Sequence, residues 1–382
     1  MMRKLVISTS SLLLMMLFFA GCMNGNELDN PNEPHRQPMR FQTERPYYFD
    51  TVTIFSGYAY NQDEFEYYAE IFFDTFRYYH HLMDIYNPHP LGENNLHYIN
   101  AHAAERPVEV SADMLTFLLK IQDTYDITQG TNNAALGAVL RIWHDYRTAA
   151  NLPPLSVSPP VMPSMDVLIA AAQATNIADF IVDSETSTVR FLHPNMSLDV
   201  GAIAKGYAAG LAVQAVAEAG MQSILISAGG HVVAHGSPPN RDTWNVGLRD
   251  HRPPPSQTAD GDSPAETTAA LRPAAIDILT FTDATLSVTG GYERFFMTAD
   301  EHFGHVIDPA TLMPARRYLQ VAVLHPDSWM AEILATAMFI LPQAEGELLA
   351  KLHGAEVLWI DAYDYWTATE GYIEISAFFL NR

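Results

Sequence analysis

The chain has a single cysteine, Cys22, in 382 residues, so no intramolecular disulfide framework can hold it together. Basic residues are scarce: 21 Lys and Arg stand against 44 Asp and Glu, a formal charge of −23. That field repels phosphate backbones and makes nucleic acid an unfit partner. It also opposes any anionic nucleotide, which would need a metal ion or local backbone donors to neutralise it. Beyond residue 19 no apolar run reaches 18 residues, the length a membrane-crossing helix needs. Metal-finger, P-loop and nucleophile-elbow patterns are missing as well.

What is present starts at the first residues. Arg3 and Lys4 precede an apolar run over 5–19, followed by Ala20, Gly21 and Cys22, the layout of a secretory signal. With its small residues directly before the cysteine, the segment resembles a lipoprotein signal. Residues 1–21 would be removed and the Cys22 sulfur lipidated, anchoring the protein to the extracytoplasmic face of the cell membrane; an ordinary signal with a coincidental cysteine is the alternative. Residues 22–46 are rich in Asn, Pro, Glu and Arg and read as a flexible tether. The folded body is expected over 47–382, long enough for a sizeable core.

Apolar residues at Phe65, Tyr68, Phe72, Phe76, Tyr79 and Met83 have the period of an amphipathic helix. Ser111 reads as the N-cap of a second helix, and residues 201–220 as a glycine-rich turn followed by an Ala-rich helix closed by Gly220. Strands are predicted over 223–227, 276–281, 285–288, 319–324, 357–360 and 372–379, and a mostly apolar helix over 329–341. Residues 251–273, dense in Pro, Ser, Thr, Asp and Glu, read as a surface insertion. Strands and helices mix without regular alternation, so the class is α+β.

Four clusters bear chemistry. In the first, Asp199 to Tyr207, Gly201 and Gly206 permit close backbone approach, the following helix offers free N–H donors, and Lys205 can answer a phosphate or simply pair with Asp199. In the second, Thr289-Gly290-Gly291-Tyr292-Glu293-Arg294, glycines at a strand end beside an arginine suit a pyrophosphate, although a hairpin turn with a surface Arg has the same sequence. The third, His305-Val306-Ile307-Asp308-Pro309, can place His305 as a base. In the fourth, Glu332 and Thr336 lie i, i+4 on one helix face, a pair of oxygens suited to Mg²⁺; the plainer alternative is a partly exposed acid beside a Thr bonded to its own helix carbonyl.

Taken in order, these segments resemble the ApbE family of FAD:protein FMN transferases. Asp199 to Gly206 is similar to the family's Asp-x-Gly-Gly-Ile-Ala-Lys-Gly, Ala228-Gly229-Gly230 to its Gly-Gly strand end, Thr289 to Arg294 to Ser-Gly-x-Tyr-x-Arg, and His305 to Pro314 to His-x-Ile-Asp-Pro-x-Thr-Gly-x-Pro. Ala331 to Ala337 is similar to Ala-Asp-x-x-Ala-Thr-Ala, with Glu332 for the usual Asp. Phe49-Asp50-Thr51 stands for Met-Gly-Thr, and Gly130 to Gly137, with Trp143 downstream, for the Gly-Ala-Phe-Asp segment. Leu312-Met313 replaces Gly-x.

The resemblance implies a single large α+β domain of T-fold-like type, with mixed sheets and packed helices. It implies FAD held by Phe49, Tyr86, Thr131, Asn132, Asn133, Asp199, Lys205 and the backbone near Ile307, with Thr289 and Arg294 facing the pyrophosphate. It further implies Mg²⁺ bound by the Ala202 carbonyl, Glu332 and Thr336. The expected reaction moves FMN from FAD onto a Thr or Ser hydroxyl of an acceptor protein with an FMN-binding domain, with AMP released, His305 as base and Asp308 orienting it. An FAD pyrophosphatase and a non-catalytic flavin-binding lipoprotein are the rival readings.

Overall fold

The computed structural model describes residues 37–151, 162–250, 252, 275–291, 295–297 and 302–381. Cys22, the signal segment, Tyr292, Glu293, Arg294 and all of the expected 251–273 insertion except Arg252 lie outside the described residues. Residues 38–382 form one compact unit.

Its frame is an eight-stranded sheet. In spatial order the strands are β1 (Met39–Tyr48), β2 (Thr51–Ala59), β6 (Ile224–Ala228), β7 (His231–His235), β10 (Ala284–Gly290), β13 (Tyr318–His325), β14 (Glu356–Asp361) and β15 (Trp366–Ala368). The α+β class stands, but the sheets are not mixed in direction. Every described pairing is antiparallel, as expected where neighbours such as β1–β2 and β6–β7 are joined by tight turns. The smaller sheets are β3 (Val108–Glu109) with β5 (Thr188–Phe191) and β4 (Phe180–Asp183), β8 (Trp244–Arg249) with β9 (Ala275–Phe281), and β11 (Phe295–Met297) with β12 (His302–Gly304).

Both faces of the central sheet are covered, which is why its strands read as near-continuous apolar runs. In β13, Val321 and Val323 point into one core and Ala322 and Leu324 into another; β14 splits Val357 and Trp359 from Leu358 and Ile360 in the same way. One face carries α1 (Gln62–Leu82), α6 (Ala204–Glu218) and α7 (Ser328–Ile340). The Phe face of α1 packs on Ala208, Ala209 and Ala212 of α6, whose small side chains let the two helices close up. On the opposite face lie Trp244, Val246, Leu248, Leu279 and Phe281 of the β8–β9 ribbon, with Tyr372.

The remaining helices of the described residues are α2 (Leu96–His102), α3 (Ala112–Ile127), α4 (Gly137–Asn151), α5 (Met165–Ala172), α8 (Gln343–His353), α9 (Glu370–Ile375) and α10 (Ala377–Leu380). The predicted caps are in place: Ser111 accepts from Met114 N–H at 3.4 Å, and Gly220 takes φ 115° after α6.

Two expectations are corrected. The folded body begins at β1, from Met39, not at Tyr47, because the polar 39–45 stretch pairs residue by residue with strand β2. The strand predicted over 372–379 is instead α9 and α10. Buried Asp277 organises their junction, accepting from Ser376 Oγ at 2.6 Å and Phe378 N–H at 2.9 Å.

Candidate active site

Helices α6 and α7 meet where Gly206 lies on Glu332. A Cβ at Gly206 would fall 2.5 Å from Glu332 Cβ and 2.8 Å from Ser328 O, and one at Gly210 3.0 Å from Ser328 Cβ. Position 210 thus meets 328, while 206 meets both 328 and 332, so the helices run antiparallel. Thr336 lies one turn beyond Glu332 on α7, and Ala202 lies just before the first turn of α6. Sequence positions some 130 apart are thereby gathered by a single helix crossing whose closeness only glycine permits.

Helix α7 is apolar on nearly every side and buried, and inside it Glu332 is 6% exposed. A carboxylate there must be paired. Lys205 Nζ lies 2.8 Å from both of its oxygens, and Ser287 Oγ of β10 donates to Oε2 at 2.7 Å. His231 Nδ1 of β7 also lies 2.8 Å from Oε2. That contact is short but off the ring N–H direction, so it is not an aligned hydrogen bond. On the far side of the ring, His231 Nε2 meets Ser328 Oγ at 2.8 Å.

Burial alone would raise the Glu332 carboxyl, but Lys205 and then His231 outweigh it and hold the group well below the usual carboxylate range. Burial, reinforced by Lys205, pushes His231 below its ordinary value against the pull of Glu332. Ser328 Oγ also donates to Gly206 O at 2.7 Å, so its one proton is contested between that carbonyl and His231 Nε2, and the ring tautomer follows from which of them takes it. The Asp199–Lys205 pair therefore does not form. Asp199 instead accepts from Gly201 N–H at 3.0 Å, and Lys205 turns to the more deeply buried anion.

The start of α6 is open. Its first backbone bonds are Ala204 N to Val200 O and Tyr207 N to Ile203 O, and no side chain caps it. The N–H groups of Lys205 and Gly206 make no backbone hydrogen bond among the described residues. Two free donors at a helix N-terminus, with a lysine in its first turn, are the kind of place an anion can bind. Among the described residues, the Ala202 carbonyl accepts only a long 3.3 Å bond from Asn132 Nδ2. Thr336, half-buried, makes no side-chain hydrogen bond among the described residues, so the self-bonded Thr of the plainer alternative is not found. A carboxylate kept ionised, a hydroxyl one turn along and an under-used carbonyl are the donor types a hard cation such as Mg²⁺ accepts. Lys205 is the competitor for the carboxylate.

The other expected residues divide. Asn132, buried, points at Ala202, and Asp199 N–H donates to Ala134 O at 2.8 Å, so the 130–137 segment joins the cluster. Asn133 is spent locally, accepting from Ala135 N–H and donating to Thr175 O. Thr131 faces a cleft lined by Leu341, Glu345 and Leu348. Phe49 sits at a β1–β2 turn with φ 49°, its N–H donating to His80 Nδ1 at 3.3 Å and its ring on Phe76. Tyr86 OH meets His144 Nδ1 at 3.0 Å. Thr289 pairs with Val321 in the sheet.

Ile307 bridges Pro314, and Asp308 accepts from Ala310 N–H at 2.8 Å, so the described bond of Asp308 shapes the turn. Leu312 takes φ 61°, a left-handed conformation that favours glycine over a branched side chain. Trp143 Nε1 donates to Leu312 O at 3.0 Å, pinning this turn to α4. Sequence reasoning missed His231, Ser287 and Ser328, polar residues that match no motif in the sequence and are drawn in only by packing against Glu332. It also missed Asn100, which clasps both backbone groups of Leu198 at 2.8 and 2.9 Å.

The ApbE family profile matches residues 50–359. The chain belongs to the ApbE family. It is 29% identical over 277 residues to the FAD:protein FMN transferase of Treponema pallidum, covering 69% of each chain. To the enzyme of the same name in Rhodobacter capsulatus it is 28% identical over 263 residues, 68% of this chain and 44% of that one. Among solved structures, the ApbE protein of Thermotoga maritima superposes with a TM-score of 0.73 at 20% identity, over 88% of this chain and 99% of that one. The flavin transferase ApbE of Vibrio cholerae gives 0.69 at 18% identity, over the same shares.

Proposed function

We propose that this ApbE-family chain transfers FMN from FAD to a Thr or Ser hydroxyl of an acceptor protein, releasing AMP. The observation that carries the reading is the start of α6. There, free N–H donors and Lys205 suit a diphosphate, next to the buried Glu332 carboxylate, which together with Ala202 O and Thr336 would offer oxygens to a divalent cation. On a chain of charge −23, such local donors are what an anionic dinucleotide requires.

In the reaction the acceptor oxygen forms a bond to the FMN-side phosphorus as the diphosphate P–O bond breaks, and AMP departs with the bonding electrons. His305 takes the hydroxyl proton, without which that oxygen is a poor nucleophile; Asp308 sets the turn that presents it. Lys205 and the Gly206 N–H hold the diphosphate, and Asp199, Asn132, Tyr86 and Phe49 line the rest of the nucleotide path. Mg²⁺, held by Ala202 O, Glu332 and Thr336, would stabilise charge on the splitting diphosphate. A lipid on Cys22 would keep the domain on the extracytoplasmic face of the membrane, within reach of its acceptor.

The test is to incubate the chain with FAD, Mg²⁺ and an FMN-acceptor domain and weigh the acceptor. Added FMN mass supports transfer. Free AMP with no adduct selects a pyrophosphatase, and bound unaltered FAD selects a binding protein. His305→Ala is expected to slow transfer about 10²–10⁴-fold at saturating FAD; an unchanged rate removes His305 from the role.

A further inference from the structure

The two tasks set for the cluster compete for one residue. Lys205 is needed on a phosphate and Glu332 on a cation, yet in the structure Lys205 Nζ sits 2.8 Å from both Glu332 oxygens. A carboxylate offers about four acceptor directions. Lys205 takes one on each oxygen, and Ser287 and His231 crowd Oε2 further. A divalent cation arriving at this buried group would share it with an ammonium, and the two positive charges would repel across a dry site.

We propose that Lys205 is a counter-ion switch: the diphosphate of the nucleotide draws it off Glu332, and only then is the carboxylate open to the divalent cation. The inference rests on the flavin-nucleotide reading above and deepens it. Three observations support it. Lys205 lies in the first turn of α6, where the helix dipole disfavours a cation, so an anion at that end is its natural alternative partner. The unbonded N–H groups of Lys205 and Gly206 mark where that anion would sit, one side chain's length from Glu332. The contacts on the carboxylate are also unequal. With Lys205 gone, Ser287 and His231 still lie against Oε2, while Oε1 has no described donor left. Ser287 and His231 thus keep the arm in place through the exchange.

The consequence is obligatory coupling, and coupling is reciprocal. Mn²⁺ binding to the purified chain, read by loss of the free-ion EPR signal, is expected to tighten roughly 5- to 150-fold when FAD is present, and FAD, followed by flavin fluorescence, to tighten by the same factor with Mn²⁺. Lys205→Gln is expected to bind Mn²⁺ without FAD more tightly than the wild type does. Should that variant fail to fold, the wild-type comparison decides alone. FAD uptake with Mn²⁺ affinity identical in its presence and absence overturns the switch and leaves the proposed function standing. No FAD uptake with or without Mn²⁺ overturns both.

Discussion

A glutamate 6% exposed within an apolar helix is stable only because Lys205, Ser287 and His231 converge on it. Removing the carboxylate strands the ammonium in a dry site. Glu332→Ala is expected to cost about 3–5 kcal/mol in urea denaturation, part of it recovered when Lys205→Met is added, because breaking a buried pair costs more than replacing it. Acidification works through the same cluster. Glu332 is held below its ordinary 4.5, so its contribution is complete above that pH and is lost as pH falls toward the folded value. His231 is held below 6.5 and charges less readily folded than unfolded, so stability also falls as pH drops beneath 6.5. His80 and His81, depressed chiefly by burial, act in the same direction. The urea midpoint should therefore decline on the acid side of about pH 6.5, and His231→Gln should flatten part of that slope; an unaltered slope would contradict the placement of His231. The i, i+4 spacing of Glu332 and Thr336 and the Asp199–Gly206 motif were legible in the sequence. The partner of Lys205 was not, because it lies 127 positions away and is chosen by burial.

At the scale of elements, the crossing of α6 and α7 sets the site. Gly206→Ala would drive a methyl to 2.5 Å from Glu332 Cβ and to 2.8 Å from a backbone oxygen that cannot turn aside. The expected result is a loss of about 1–3 kcal/mol from overpacking, with weakened FAD binding; calorimetry and a fluorescence titration read the two effects. Helices α1, α3, α6 and α7 were readable from apolar period and caps, since packing and local signals agree there. The closing segment was not. Residues 372–379 have an apolar, aromatic composition compatible with a strand, and the bonds of Asp277 to Ser376 and Phe378, about a hundred positions off, decide for helices. β1 was missed for a related reason: as an edge strand with a mostly exposed side-chain pattern, it looks like linker until β2 pairs with it.

Over the whole molecule, the sheet separates two tasks. Its helix-covered face holds the polar cluster, and its other face is closed by the β8–β9 ribbon and the C-terminal helices. Asp277→Ala is accordingly expected to lower stability by about 1–3 kcal/mol and to speed amide exchange over 370–380 while FAD affinity holds. The α+β class was legible from the irregular mix of elements, whereas the antiparallel strand order was not, since that depends on pairings between distant segments such as β7 with β10. The most direct measurement is a crystal structure of the chain with FAD and Mn²⁺, phased to locate anomalous scatterers. The account predicts a manganese peak touching Ala202 O, Glu332 and Thr336, the diphosphate at the start of α6, and Lys205 turned from Glu332 to phosphate. A flavin nucleotide bound elsewhere, with the Lys205–Glu332 pair intact, would contradict it.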